Sequence, residues 1–482
     1  MQSVQAAVAH AGADPQRPVY HFLPPANWMN DPNGPIYYDG WYHLFYQHNP
    51  YGDDWGYMHW GHARSRDLVH WEHMPIALPP AYEAGEEHVY SGCARVNGSG
   101  ELLLVYTSVK KGTREDRPNN EQWAARPLDA ELVTWERHPA NPVLALETHG
   151  GPAFHKDWRD PFIFSADGRN FLMLAGDTDE MLEVALYEAV DDSLTRWHYC
   201  GPLVREPRDA RRRFLECPNF VQIPPSEPGG EAKWILLTSP YSCVEYTTGR
   251  FDPSTLAFTP EQHGILDAGQ NDVPNFYATN FLDDTDGNCV LLGWARGFEK
   301  GRGWNGALAL PRLLTVGPDG KPRQQPLPAL RSLRGVQISL RPFAVENGSM
   351  VVPGVSGDAL EIQATLRLEP PEESGLRMKK AAAAGLRVRS SGDGHRGVEI
   401  RWDGARLSVA GCSVDLPAEV GSELTLDIFL DKSLLEVFAN GGRVAMTRVV
   451  HAPAEDLAVE VFSEQGTTYV DRIDVWKMKG IW

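Results

Sequence analysis

The sequence predicts an all-β chain, a five-bladed β-propeller followed by a β-sandwich domain. Three observations carry this expectation. A Leu-x-x-Trp pattern recurs at nearly constant spacing through the first two thirds of the chain. Short aromatic and aliphatic runs bounded by turn residues lie between its copies. After about residue 330 the repeat gives way to alternating strands without a period.

The repeat is read at Leu68-Val69-His70-Trp71, Leu132-Val133-Thr134-Trp135 and Leu194-Thr195-Arg196-Trp197, with a degraded copy at Leu256-Ala257-Phe258. The leucines recur every 62 to 64 residues, each with an acidic residue a few positions upstream. Between them, Trp41–Tyr46, Leu102–Thr107, Phe171–Leu174, Leu182–Tyr187, Trp234–Thr238 and Val290–Trp294 have strand composition. Roughly sixty residues hold four such strands and their loops, which is one propeller blade. Residues 1–20 are read as an N-terminal extension and 21–330 as the propeller, with room for five blades. Residues 331–342 are read as a linker that follows a short helical turn at Leu327–Leu330. Residues 343–482 are the β-sandwich, with strands such as Leu424–Ile428 and Leu434–Phe438. Turn signals at Asp393-Gly394, Asp403-Gly404 and Asn440-Gly441-Gly442 separate its strands. Lys379–Ala384 reads as an exposed loop or a brief helix.

Composition excludes several function classes. The 482 residues carry a net charge of −19, which repels phosphate backbones and anionic membrane surfaces, so no nucleic acid or membrane partner is expected. No apolar run approaches the roughly 18 to 20 residues of a spanning helix. The first 18 residues lack the basic and apolar regions of a secretory signal, and the six cysteines are scattered. Together these predict a cytoplasmic protein with free thiols.

Three acidic motifs carry the chemistry: Trp28-Met29-Asn30-Asp31-Pro32-Asn33-Gly34, Trp158-Arg159-Asp160-Pro161 and Leu215-Glu216-Cys217-Pro218. Asp31, Asp160 and Glu216 each precede their blade's leucine by 34 to 40 residues, so all three fall near the start of a blade. The first strand of a blade lines the central channel, so the three acids are expected to meet in one funnel. Singly, each has a plainer explanation. Asn-Asp-Pro-Asn-Gly is a turn sequence, Arg159-Asp160 an ordinary ion pair, and Glu216 a counter-charge to Arg211-Arg212-Arg213. The shared offset favours a joint role. Paired carboxylates beside tryptophans suit glycoside hydrolysis, where one acid protonates the leaving oxygen and another attacks or activates water. Glu216, between Phe214-Leu215 and Cys217-Pro218, has an apolar setting that suits a proton-holding acid. Asp31 and Asp160, beside Asn30 and Arg159, suit anions.

The segments WMNDPNG, FYQHNP, WGYMHWGHARS, YSG, WRDP, ECP and NFYA, in this order, resemble glycoside hydrolase family 32, as do GWNGALALPR and DKSLLEVFANGG. The likeness covers nearly the whole chain. It implies a retaining β-fructosidase that takes sucrose or fructans, with Asp31 as nucleophile, Glu216 as acid/base and Asp160 as transition-state stabiliser. The two principal carboxyl groups would lie about 5–5.5 Å apart. By the same resemblance Asn30, Gln47, Trp55, Tyr90, Ser91, Arg159, Tyr277 and Trp294 line the fructose subsite. No cofactor and no metal is implied. Asn219 in ECPN stands where an acid is common and is expected to alter how Glu216 is held. Arg64 and Cys93 are the other departures.

Other readings remain beside this one: a fructosyltransferase of the same family, an inverting arabinanase-like glycosidase, and a non-catalytic sugar-binding propeller. His43, His48, His59 and His62 crowd one region, but no zinc motif accompanies them, so they read as structural. Trp71, Trp135 and Trp197 read as packing residues of the blades. Trp402, Trp476 and Trp482 read as core or packing residues of the sandwich in preference to a sugar-binding surface. Substrate preference and oligomeric state are not encoded in any motif.

Overall fold

The structure is a computed structural model that describes residues 2–112, 119–155, 157–209, 212–270, 273–369, 379–417 and 422–482. The chain forms two compact units. One comprises Met1–Gly12, Leu23–Leu266 and Tyr277–Pro322; the other comprises Ala13–Phe22, Asp267–Phe276 and Arg323–Trp482. No described helix is long and apolar enough to cross a membrane.

The first unit is a five-bladed propeller. Its first four blades start with the strands Asn27–Tyr38, Glu86–Val96, Trp158–Ala166 and Glu216–Ile223, and each continues as an antiparallel four-stranded meander. The fifth blade starts at Phe276–Asp283. The short strand Trp304–Asn305 pairs in parallel with Asn27-Trp28 and so closes the ring onto the first blade. Gly306 beside it adopts φ +88°, and a Cβ there would stand 2.1 Å from the Met29 carbonyl oxygen, so only glycine fits.

The repeat has a local cause. Leu68, Leu132, Leu194 and Leu256 all adopt the left-handed conformation, with φ between 55° and 63°. Each sits in the turn that leads into its blade's fourth strand, which begins at Trp71, Trp135, Trp197 or Ala257. The upstream acid caps that turn: Asp67 accepts from the Val69 and His70 amides, Asp129 from Val133 and Thr134, Asp191 from Ser193 and Asp252 from Ser254. Neighbouring blades pack through aromatic and aliphatic side chains, such as Phe45, Trp60, Leu104, Tyr106 and Trp123. Trp135 stands edge-on to Phe45 at 5.5 Å.

The second unit is organised by one 21-residue strand, Ala458–Met478. Its first half lies between Ala383–Ser390 and Phe343–Val351, and its second half between Ala359–Arg367 and Arg334–Leu340. One strand thereby serves both layers of the sandwich, bending where Gln465 takes φ 56°. Trp402, Leu386, Val461, Ile428, Val437 and Ile473 fill the core. Trp476 is buried with the Arg334 guanidinium 3.8 Å above its ring, whereas Trp482 is half exposed and 5.8 Å from Phe22.

Three sequence expectations are corrected here. Residues 1–20 are not one extension: Gln2–Gly12 is an α-helix in the first unit, and Ala13–Phe22 belongs to the second. Residues 331–342 are not a linker but the end of the 3-10 helix Pro328–Leu333 and the strand Arg334–Leu340. Val336, Ile338 and Leu340 alternate with polar or small residues there, a short strand signal that the linker reading passed over; Ile338 and Leu340 pack against the core. Lys379–Ala384 is not a helix: its first four residues are irregular and mostly exposed, with Lys380 bridging to Thr467, and Ala383 begins a buried strand. Alanine's helix preference is overridden there by the pairing of Ala383 with Glu464 and of Ala384 with Ser463.

Asp431 and Glu436 grip His21 inside the second unit. His21 Nδ1 lies 2.8 Å from Asp431 and Nε2 lies 3.0 Å from Glu436, with all three side chains fully buried. Asp431 also accepts the amides of Val19, Tyr20 and His21. Burial alone would lower the imidazole pKa, but hydrogen bonds to both carboxylates outweigh it and raise the value from 6.5 to about 9. A raised folded-state pKa means that the stabilisation is fully present below about 6.5 and is lost as pH rises through about 9. His21→Ala is expected to destabilise the second unit by about 3 kcal/mol at pH 6, because two buried carboxylates lose their shared partner. The deficit should shrink above pH 9, and denaturant titrations at the two pH values would measure it. A pH-independent deficit would show that packing, not charge, holds His21.

Candidate active site

The three acids meet because each stands where a first strand bulges. Register shifts fall between Met29 and Pro32, between Val89 and Gly92, opposite Arg159–Phe162, and between Glu216 and Asn219. Each acidic motif has a proline one or two residues after its acid: Pro32, Pro161 and Pro218. Proline cannot donate to a sheet ladder, so it interrupts pairing and favours a bulge. Asp160 and Cys217 accordingly adopt φ 64° and 48°. The first strands of the first four blades contact one another in succession, and the re-aimed side chains share the channel end.

Asp31 is held by two donors: Ser91 Oγ at 2.5 Å and Asn30 Nδ2 at 2.9 Å. Gln47 in turn donates to Ser91 Oγ at 3.1 Å, and Trp28 Nε1 to Asn30 Oδ1 at 2.7 Å. The Cys217 thiol lies 3.5 Å from Asp31 Oδ2 and 3.8 Å from Asp160 Oδ2. Burial raises the Asp31 pKa; Ser91 and Asn30 counter this in part, while Glu216 adds to it.

Asp160 accepts the Cys217 amide at 3.0 Å, and its own amide donates to Thr107 Oγ1 at 3.0 Å. Burial pushes its carboxyl up to about 7, opposed by Arg159 and assisted by Glu216 and Asp31. Glu216 Oε1 accepts from Arg159 Nη2 at 2.6 Å, and Oε2 from the Tyr277 hydroxyl at 2.6 Å. Arg159 also pairs with Asp157, approaches Asp160 at 3.7 Å, donates to the Tyr241 hydroxyl at 2.9 Å, and lies 4.4 Å above the Phe214 ring. Trp28 and Trp294 form a wall with ring centroids 5.6 Å apart, and Tyr277 continues it at 6.4 Å. Trp294 Nε1 is buried without a protein acceptor. Trp55 meets Tyr90 at 6.2 Å on the rim.

All eleven residues singled out in the sequence therefore lie in the propeller unit, and the bonds above join Asn30, Gln47, Ser91, Arg159 and Tyr277 to the acids directly or through one intermediary. The surroundings of the acids, however, differ from those read along the sequence. Glu216 does not sit in an apolar setting: Phe214 and Leu215 turn into the protein, and the carboxylate faces the Arg159 guanidinium and a phenol. Asp31 and Asp160, expected to be easy anions, are the two whose ionisation burial opposes. Asn219 accepts from Thr279 Oγ1 at 2.8 Å. Arg212 pairs with Glu206 and Glu245 and not with Glu216; Arg211 lies outside the described residues.

Tyr241 was not found in the sequence. Glu216 pairs with Ser239 across the blade, so the loop after the second strand returns to the mouth beside the acid. That topological rule is the signal that would have revealed it. The four histidines bond to protein groups: His43 to His62 at 3.0 Å, His48 to the Trp28 carbonyl at 2.7 Å and His59 to that of Tyr57. Among the described residues no His, Cys, Asp and Glu side chains cluster as a metal-ligand set.

Comparison with known proteins agrees with this geometry. Residues 21–326 match the model of the glycosyl hydrolases family 32 N-terminal domain, and residues 329–477 that of the family 32 C-terminal domain. A levanase of Bacillus subtilis (strain 168) is 30% identical over 97% of this chain and 71% of its own length. The sucrose-6-phosphate hydrolase of Escherichia coli is 29% identical over 96% of this chain and 94% of its own. Among solved structures, a Bombyx mori family 32 β-fructofuranosidase superposes with a TM-score of 0.78 at 27% identity, covering 100% of this chain and 98% of that one. With both family models matched in order and the acidic motifs assembled at one channel end, this chain belongs to glycosyl hydrolase family 32.

Proposed function

We propose that the chain hydrolyses the terminal β-fructofuranosyl linkage of sucrose and fructo-oligosaccharides by double displacement. The observation that carries this reading is the convergence of Asp31, Asp160 and Glu216 from three blades, with two distinct sets of partners. Asp31, oriented by Ser91 and Asn30, is the nucleophile. Glu216 is the acid that releases the leaving sugar and the base that then activates water. Asp160 is the stabiliser that accepts hydrogen bonds from the fructosyl hydroxyls as charge develops on the ring. The Trp28 and Trp294 rings, inclined at 66° to each other, give the sugar an apolar side wall.

The surroundings of Glu216 suit a group that alternates between two protonation states. The Tyr277 hydroxyl lies 2.6 Å from Glu216 Oε2 and 2.7 Å from the Ser239 carbonyl oxygen, and it accepts the Tyr241 amide at 2.9 Å. It donates to Glu216 when that carboxyl is ionised and turns to the Ser239 carbonyl when Glu216 carries the proton. Neither state leaves a donor unpaired.

Product analysis on sucrose, 1-kestose, inulin and levan tests the reading. Fructose is the expected product, and NMR should find its first-formed anomer in the β-configuration of the substrate. An inverted first-formed anomer would remove the covalent mechanism.

A further inference from the structure

The propeller exposes aromatic rings where the funnel opens. Tyr51, Trp55, Tyr57 and Tyr82 are 60%, 52%, 60% and 59% exposed. Soluble proteins seldom leave large apolar side chains together in water without a binding role. These four are continuous with the site. Trp55 meets Tyr90 and His88 at 6.2 and 5.7 Å, and Tyr90 directly precedes Ser91, the donor to Asp31. Tyr51 stands edge-on to Tyr57 at 5.7 Å. Burial first, then the phenols of Tyr51 and Tyr57 and the Glu87 carboxylate, raise the Tyr82 pKa, so the three phenols share one neighbourhood.

The segment that carries the rings is pinned from both ends although its aromatic faces are bare. Asn49 accepts the Tyr51 amide and donates to the Asp54 carbonyl. The Gly52 carbonyl accepts the Trp28 amide at 3.0 Å. Asp53 accepts the amides of Gly301 and Gly303, and Lys300 pairs with Asp54. Met58 is bonded to His88 and Val89. Tyr57 is held at φ 47°, a conformation that aromatic residues rarely adopt and that recurs at ligand clamps. Rigid aromatic side chains lose little conformational entropy when a ligand covers them.

From this arrangement we infer that Tyr51, Tyr57 and Tyr82 form a sugar-binding ledge for units of a neutral oligosaccharide beyond the scissile linkage. The inference rests on the proposed function. An enzyme that clips a terminal fructosyl unit at the funnel floor must lead the rest of a longer substrate out across the rim. Charge selects among ligands: Asp54 pairs with Lys300 and the buried Glu86 with Arg137, which leaves Glu83 and Glu87 to make residues 82–88 acidic. Such a rim repels a phosphorylated sugar and leaves stacking and hydroxyl contacts as the means of recognition.

The test is a chain-length series on the full-length protein with Tyr51→Ala, Tyr82→Ala, the double variant and Tyr82→Phe. Sucrose, 1-kestose, nystose, a neutral fructo-pentasaccharide and sucrose 6-phosphate are the substrates. The unmodified enzyme is expected to show a KM that falls with chain length and no preference for the phosphorylated disaccharide. In the double variant the KM for the pentasaccharide should rise about tenfold, the loss of roughly one stacking contact per ring. kcat, and both parameters on sucrose, should stay within about twofold, and Tyr82→Phe should keep the length preference. An unchanged length profile in a folded, active double variant would overturn the ledge alone. So would an equal loss on sucrose, or a preference for sucrose 6-phosphate. An unmodified protein that released fructose from none of these substrates would instead overturn the function on which the ledge rests.

Discussion

Asp31→Ala and Glu216→Ala are each expected to lower turnover on sucrose by at least about three orders of magnitude, a barrier increase of roughly 4 kcal/mol. Both variants should stay folded, since alanine keeps the backbone at both positions, including the pairing of Glu216 with Ser239, and removes only carboxylates that face the funnel. The roles separate by leaving group and by rescue. Removing Glu216 should impair the glucose leaving group of sucrose more than an activated aryl fructoside, because only the former needs a proton to depart. Azide should then partly restore turnover of the activated substrate in Glu216→Ala by attacking the fructosyl-enzyme, giving a fructosyl azide of retained configuration. Asp31→Ala has no covalent route, so azide can give only an inverted product there. NMR of the azide products decides the matter: retained product from Asp31→Ala, or inverted product from Glu216→Ala, would exchange the two assignments.

The second large effect joins activity to stability at Asp160. Its carboxyl is buried, and its pKa is raised from 3.8 to about 7, so the folded chain holds that proton more tightly than the unfolded chain does. The resulting stabilisation is fully present below about 3.8 and is lost as pH rises through about 7. Asp160→Asn removes the ionisation and keeps an oxygen to accept the Cys217 amide. The variant should therefore be more stable than the parent at pH 8, by up to about 4 kcal/mol, and little changed at pH 4. Turnover should fall by about two to three orders of magnitude, as when a preorganised electrostatic group is removed. Denaturant midpoints at the two pH values, with kcat at pH 6, measure both effects. A variant less stable at pH 8 would show that attraction to Arg159 outweighs the burial of the anion. An active site that is destabilising where it works follows the usual conflict between stability and function.

Much of the fold is legible because the propeller repeats a local device. The four leucines in left-handed turns and their capping aspartates are set by neighbours a few residues away, so the period survives in the sequence. The positions of the three acids follow from the same period together with the prolines that break pairing beside them. The strand Arg334–Leu340 was hidden for the opposite reason. It is a short, half-exposed strand with only three apolar residues, and its place depends on a partner, Ile473–Met478, more than a hundred residues away.

By itself, then, the sequence determined the five-fold repeat, the sandwich that follows it and the set of acids at one end of the channel, since turn geometry and strand periodicity are short-range. Only the tertiary structure decided which groups surround those acids. Glu216 receives Arg159 from the third blade and Tyr277 from the fifth, Asp160 is buried, and Asp31 is partly buried and held by Ser91 from the second blade. The setting read from Phe214-Leu215 misled because those side chains, just ahead of the strand, are buried, while the Glu216 carboxylate meets Arg159 and Tyr277. A carboxyl's protonation depends on desolvation and on charges within a few ångströms, and in a propeller the groups at that distance come from other blades, tens of residues distant along the chain.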